Sequence, residues 1–124
     1  DIGWLLDQGL NVVGAELSEL AVRQLFESMQ VTPDVSPWGD GWVWRHGTLT
    51  VFQGDVFALT AKDLGEINLV YDRAALVALP AAMRERYAAH LVATTERAAQ
   101  LLITFEYDQQ RMDGPPFSVP SDDV

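Results

Sequence analysis

The 124-residue sequence predicts an α/β fold with a mostly parallel sheet and flanking helices. Two observations carry that expectation. Short apolar runs alternate along the chain with segments whose apolar residues recur at helical spacing, the signature of βαβ units. The strand-like runs also end on acids, or on an acid beside an arginine: Glu16, Asp55, Asp72 with Arg73, and Glu106 with Asp108. In an open parallel sheet ligands bind outside the carboxyl ends of the strands, so these residues mark one candidate site.

In chain order, residues 1–8 place Ile2, Leu5 and Leu6 on one helical face, and Gly9 suits a C-terminal cap. Residues 11–15 form a valine-bearing run read as a buried, central strand that stops at the lone acid Glu16. Ser18 is placed to cap a helix with Val22, Leu25, Phe26 and Met29 inward, and Thr32-Pro33 ends it. Pro37, Gly39 and Gly41 mark a loop, and "GWVWRHGTLTVF" reads as a hairpin turning near His46-Gly47. A short helix at residues 60–64 is closed by Gly65, and "INLVYD" is the next strand. Pro80 opens a longer helix with Met83, Tyr87 and Leu91 inward, "LLITFEY" is a last strand, and "GPP" stiffens the loop after it.

Length suits one domain or part of one. A hydrophobic content of 48% with 21% charged residues describes a globular chain rather than a disordered one. Eighteen acids against eight bases give a formal net charge of −10, which argues against a nucleic-acid partner. With no cysteine there is no disulfide, thiolate metal site or cysteine nucleophile, which suits a reducing, cytoplasmic setting. No apolar run has the length of a membrane span, so no membrane partner is expected. The chain begins at Asp1 inside a helix-like pattern and ends on "SVPSDDV", a helix-start signal with no helix after it, and so reads as an interior slice of a longer protein.

Each candidate residue has two readings. Glu16 suits a carboxylate that accepts both hydroxyls of a ribose, or a solvated acid near a helix N-terminus. Asp55 suits an acceptor for an adenine amino group, or a cap for the following turn. Arg73 offers five donors that can orient an anionic or electron-rich acceptor, or it pairs with Asp72 or Glu106. Trp42 and Trp44 share one face of the hairpin, where they either pack on the sheet or, with Trp38, wall a pocket. His46 and His90 lack partners at metal or triad spacing, so no metal is expected. No G-x-S-x-G elbow is present, which leaves hydrolysis unsupported.

The stretches "WLLDQGLNVVGAELSELAV", "YDRAALVALPAAMRERY" and "EYDQQRMDGPPFSVP" resemble the thiopurine S-methyltransferase family, its bacterial members above all. They come in the family's order and span nearly the whole chain. "DRAALVALP" and "GPPFSVP" are the specific blocks, and residues 33–45 are the least family-like part. The resemblance implies a Rossmann-like class I methyltransferase fold, incomplete at both ends. Residues 1–124 would be a single partial domain, lacking the first strand and glycine loop before residue 1 and the last strands after residue 124.

On this resemblance the enzyme uses S-adenosyl-L-methionine, releases S-adenosyl-L-homocysteine and needs no metal. It would methylate the sulfur of a thiol or thiopurine, or a selenium or tellurium acceptor, as a monomer. Glu16 and Leu17 would hold the ribose and flank the adenine, with Asp55 and Val56 at the adenine edge. Arg73 would lie near both cofactor and acceptor, and Asp72 is a second catalytic candidate. Pro115, Pro116 and Phe117 would shape the acceptor pocket, and Trp4 is assigned to packing. Two rival readings are a nicotinamide-dependent oxidoreductase, in which Glu16 would also hold a ribose, and a fragment that binds without catalysis.

Overall fold

The computed structural model describes residues 1–124. The chain divides into two compact units, Asp1–Leu59 and Thr60–Val124. The first contains α1 (Ile2–Asp7), β1 (Val12–Glu16), α2 (Glu19–Ser28), β2 (Asp34–Trp38), β3 (Gly41–His46) and β4 (Leu49–Gln53). The second contains α3 (Ala61–Leu64), β5 (Leu69–Arg73), α4 (Ala81–Thr94) and β6 (Ala99–Ile103). Single 3₁₀ turns follow β4 at Val56–Ala58 and β5 at Leu76–Ala78. No helix is long and apolar enough to cross a membrane.

In the first unit the sheet order is β1-β4-β3-β2. β1 and β4 run parallel, with Glu16 opposite Gln53, while β2, β3 and β4 are joined antiparallel. A parallel pair needs a crossover, and α2 with the β2–β3 hairpin supplies it. The Ser18 hydroxyl accepts the Ala21 N–H at 3.1 Å and starts α2, as its sequence position predicts. The helix then buries Val22 and Phe26 against Trp44, Leu49 and Val51. Ile2 and Leu6 of α1 pack against the same cluster.

Phe26 and Trp44 are stacked, with ring centroids 6.0 Å apart. On the opposite face of the sheet Val43 and Phe52 are buried, and the Trp38 ring meets Phe52 edge-on at 5.1 Å. Gly41, the first residue of β3, has no room for a side chain, because a Cβ there would overlap the Gln53 carbonyl oxygen.

Four features depart from the sequence reading. Residues 34–38 form a strand where Pro37 and Gly39 suggested only loop. β2 lies at the sheet edge, where a proline's missing N–H interrupts no second ladder. β1, expected to be central and buried, pairs within residues 1–124 with β4 alone, and Val13 is 37% exposed there. Trp4 does not pack: it lies two residues from Ile2, across the helix from the inward Ile2–Leu6 stripe, and is 64% exposed. β6 stops at Ile103, so Glu106 and Asp108 lie beyond the strand. There the chain turns to meet the returning segment, with Val119 N–H donating to Phe105 O at 2.7 Å.

In the second unit β5 and β6 form a parallel pair, Leu69 opposite Ala99 through Arg73 opposite Ile103. α4 is the crossover between them, preceded by Pro80 in the capping position. Thr60 and Asp63 make a reciprocal capping box for the single turn of α3, and Gly65 closes it at φ +69°.

Replacing Phe26 with alanine would leave a cavity between α2 and the sheet, at an expected cost of about 3–5 kcal/mol. Trp44→Phe should cost less, because it keeps an aromatic ring and removes an indole N–H that is buried with no hydrogen-bond partner. Urea unfolding of the two variants side by side checks that order.

Candidate functional site

The parallel ladders determine where the predicted residues fall. Strands β1 and β4 point their carboxyl ends the same way, and their tips are tied together: Gly54 N–H donates to Glu16 O at 2.9 Å. The Gln53 side-chain amide donates to Leu17 O at 3.2 Å. Glu16, Leu17, Asp55 and Val56 are thereby gathered at one edge of the first unit, with Glu16, Leu17 and Asp55 exposed. The acid is an acceptor-only group, and the leucine beside it offers an apolar surface.

Asp55 caps the turn after β4, its Oδ1 accepting the Phe57 N–H at 2.9 Å. That contact is the structural alternative read from the sequence, and it does not exhaust the carboxylate. An ionised carboxylate has acceptor sites on both oxygens, so the cap orients Asp55 and leaves acceptor capacity for a ligand's amino group. A nucleoside needs acceptors for hydroxyl and amino hydrogens and an apolar flank for its base, and this edge provides both.

The second unit gathers the other set. Arg73 is the last residue of β5 and is exposed, whereas Asp72 before it is only 3% exposed. Asp72 accepts two hydrogen bonds, from Leu76 N–H at 3.2 Å to Oδ1 and from the Tyr87 hydroxyl at 2.6 Å to Oδ2. This carboxylate is thus engaged with its own fold. Burial first, then the hydrogen bond to Asp72 and its charge, push the Tyr87 hydroxyl above the ordinary phenol range.

Loop residues Pro115–Phe117 are drawn to the same end of the unit. Phe117 N–H donates to Val77 O at 2.7 Å, in the turn that follows Arg73. The Tyr107 hydroxyl donates to Pro116 O at 2.5 Å, and Ser118 N–H donates to the Gln109 side-chain oxygen at 2.9 Å. Gly114 sits at φ +81°, and a Cβ there would meet the Phe117 ring at 2.7 Å, so glycine is required.

Gln53, Tyr87 and Tyr107 support these residues and were not singled out from the sequence as functional. For Tyr87 a signal existed. A tyrosine read as inward on a helix must find a partner for its hydroxyl, and an acid at a nearby strand end is a natural one. Of the tryptophans, Trp44 packs in the core, whereas Trp42 is 44% exposed. With Trp44 it lines an open groove of about 470 Å³ along α2. No group of three or more histidines or acids is arranged to hold a metal ion.

With this geometry established, comparison with known proteins decides the family. The model of the thiopurine S-methyltransferase family matches residues 1–124. The chain belongs to the thiopurine S-methyltransferase family. Its helices and its parallel strand pairs are those of a Rossmann-like class I methyltransferase fold, incomplete relative to full-length relatives. The thiopurine S-methyltransferase of Xanthobacter autotrophicus is 54% identical over 124 residues, covering 100% of this chain and 58% of that protein. Those of Teredinibacter turnerae and Pseudomonas fluorescens are 49% and 47% identical, again over 100% of this chain and over 58% and 56% of theirs. The chain therefore spans a little over half the length of the curated relatives it matches.

Burial of the Tyr87 hydroxyl, together with its bond to Asp72, makes stability depend on pH in one direction. The neutral hydroxyl is favoured in the folded state, so its contribution is complete below the ordinary tyrosine value of 10.0 and is lost as pH rises above it. The stability difference between the native chain and Tyr87→Phe should be flat below pH 10. Above it the difference should shrink by up to about 1.4 kcal/mol per pH unit. Urea unfolding of both proteins from pH 8 to 11.5 measures this.

Proposed function

We propose that the protein containing this chain transfers a methyl group from S-adenosyl-L-methionine to the sulfur of a small acceptor such as a thiopurine. The observation that carries the reading is the pairing of β1 with β4, which sets Glu16 and Leu17 beside Asp55 and Val56 at one strand edge. Family membership supports it, as does the unbroken match over residues 1–124, on which we read both units as portions of one methyltransferase domain. The same match favours S-adenosyl-L-methionine over a nicotinamide cofactor, for which Glu16 would otherwise serve equally well.

The chain's residues divide the work. Glu16 accepts the ribose hydroxyls, and Leu17 and Val56 flank the adenine. Asp55, oriented by its cap, accepts from the adenine amino group. When bound, the cofactor would supply an electrophilic sulfonium methyl group, which passes to the acceptor sulfur with S-adenosyl-L-homocysteine as the leaving group. A thiolate or thione sulfur is already nucleophilic, so the protein has mainly to orient the acceptor and exclude water. Arg73 donates to the electron-rich acceptor and offsets its charge. Pro116 and Phe117, held by Tyr107 and Val77, form an apolar wall of the acceptor pocket. Selenium and tellurium acceptors would demand the same alignment, and nothing in these residues selects sulfur against them.

Calorimetric titration of S-adenosyl-L-homocysteine and of NAD into the full-length protein tests the cofactor assignment. Binding of the first is expected, and binding of NAD alone would overturn it. Glu16→Ala should weaken S-adenosyl-L-homocysteine by about 10- to 100-fold, as expected for loss of charge-assisted hydrogen bonds. Arg73→Ala should lower kcat/KM for a thiopurine acceptor by a similar factor, about 10- to 100-fold. An unchanged acceptor kcat/KM would remove Arg73 from the mechanism.

A further inference from the structure

The turn that follows β5 is held in a conformation its residues do not prefer. Ala74, next to Arg73, has φ +76°, a left-handed backbone that an alanine side chain disfavours. Ala75 returns to the right-handed region, and Leu76 and Val77 are then buried in the 3₁₀ turn. The chain thus reverses within three residues, Arg73 to Ala75, and something must keep it there.

Asp72 and Tyr87 span that reversal. The Asp72 carboxylate, on the strand side, accepts the Leu76 N–H from the far side of the turn and closes a loop around residues 73–75. Its other oxygen accepts from Tyr87, which reaches in from the middle of α4, 15 residues along the chain. Beyond the turn, Val77 O accepts from Phe117, so the same short segment also positions the loop of Pro116 and Phe117. A buried carboxylate is costly to desolvate, and apolar packing alone would not call for one. Both oxygens are nevertheless satisfied, and the 2.6 Å contact from Tyr87 has the length of a strong charge-assisted bond.

We propose that Asp72 and Tyr87 are a positioning pair that holds the strained turn after β5, and thereby fixes the direction in which Arg73 leaves the strand. The pair rests on the acceptor-orienting role given to Arg73 above and extends it. The bonds both residues make are to the chain itself, and each acts through the backbone of residues 73–76. Asp72 is therefore a positioning residue rather than a catalytic one.

The test is a double-substitution cycle in the full-length enzyme with a thiopurine acceptor, at a temperature where urea unfolding shows each variant fully folded. Tyr87→Phe is expected to lower acceptor kcat/KM by about 10-fold, as small misplacements of an orienting group do. It should leave S-adenosyl-L-homocysteine affinity within about 2-fold, and it should have little further effect in an Arg73→Ala background. Asp72→Asn, which keeps the side chain's shape, is measured in parallel in case Tyr87→Phe does not fold, with the same pattern expected.

A structural role alone would lower the melting temperature and leave kcat/KM per folded enzyme unchanged, which would overturn the proposal. So would losses that multiply independently with that of Arg73→Ala. If Arg73→Ala by itself leaves acceptor kcat/KM unchanged, the role of Arg73 fails and the pair has nothing to position. That result is distinct from one in which Arg73 matters and Tyr87 does not.

Discussion

Two parallel strands that pair must end at the same edge, and in this chain that constraint determines which polar residues are gathered together. The β1–β4 ladder sets Glu16 opposite Gln53, so whatever follows each strand emerges side by side. Gly54 and Gln53 then tie the emerging segments by hydrogen bonds to Glu16 and Leu17 carbonyls. The β5–β6 ladder imposes the same rule on the second unit, where Arg73 lies opposite Ile103. The helices α2 and α4 follow from the ladders, since a parallel pair cannot be joined by a tight turn. Core packing of Val22 and Phe26 against Trp44, Leu49 and Val51 holds the first crossover in place.

Polar groups near the strand ends show how the fold supports such an edge. Asp55 and Asp72 both accept a backbone N–H of the turn that follows them, yet their surroundings differ. Asp55 is exposed, and its cap leaves it able to meet a ligand. Asp72 is buried, and both of its oxygens are taken up inside the unit. One acid is thus available to a ligand and the other is committed to holding the chain. The loop at Pro115–Phe117 is organised in the same manner, through Tyr107, Gln109 and Val77 rather than through regular secondary structure.

Most helices and strands were legible because their cues are local. Ser18, Thr60 and Gly65 cap as their positions predict, and the hairpin turns at His46-Gly47. Val22 and Phe26 are inward because they lie four residues apart. The misreadings were at edges. β2 contains a proline that argues against a strand only when both sides must donate. β6 stops early because Phe105 and Tyr107 bond to a segment more than ten residues further on. Trp4, assigned to packing from the resemblance, lies across α1 from Ile2 and Leu6 and faces outward.

The sequence by itself determined the alternation of strands and helices, the acids at the ends of β1 and β5, and a resemblance resting on "DRAALVALP" and "GPPFSVP" that the family match bears out. Each of these depends on residues within a few positions of one another, or on words that can be read along the chain. Tertiary structure alone decided that Asp72 is buried against Tyr87, that Phe117 bonds to Val77, and that β1 pairs with β4. A residue's type states what partner it requires. Which partner it finds depends on how distant segments pack, and that information is not local.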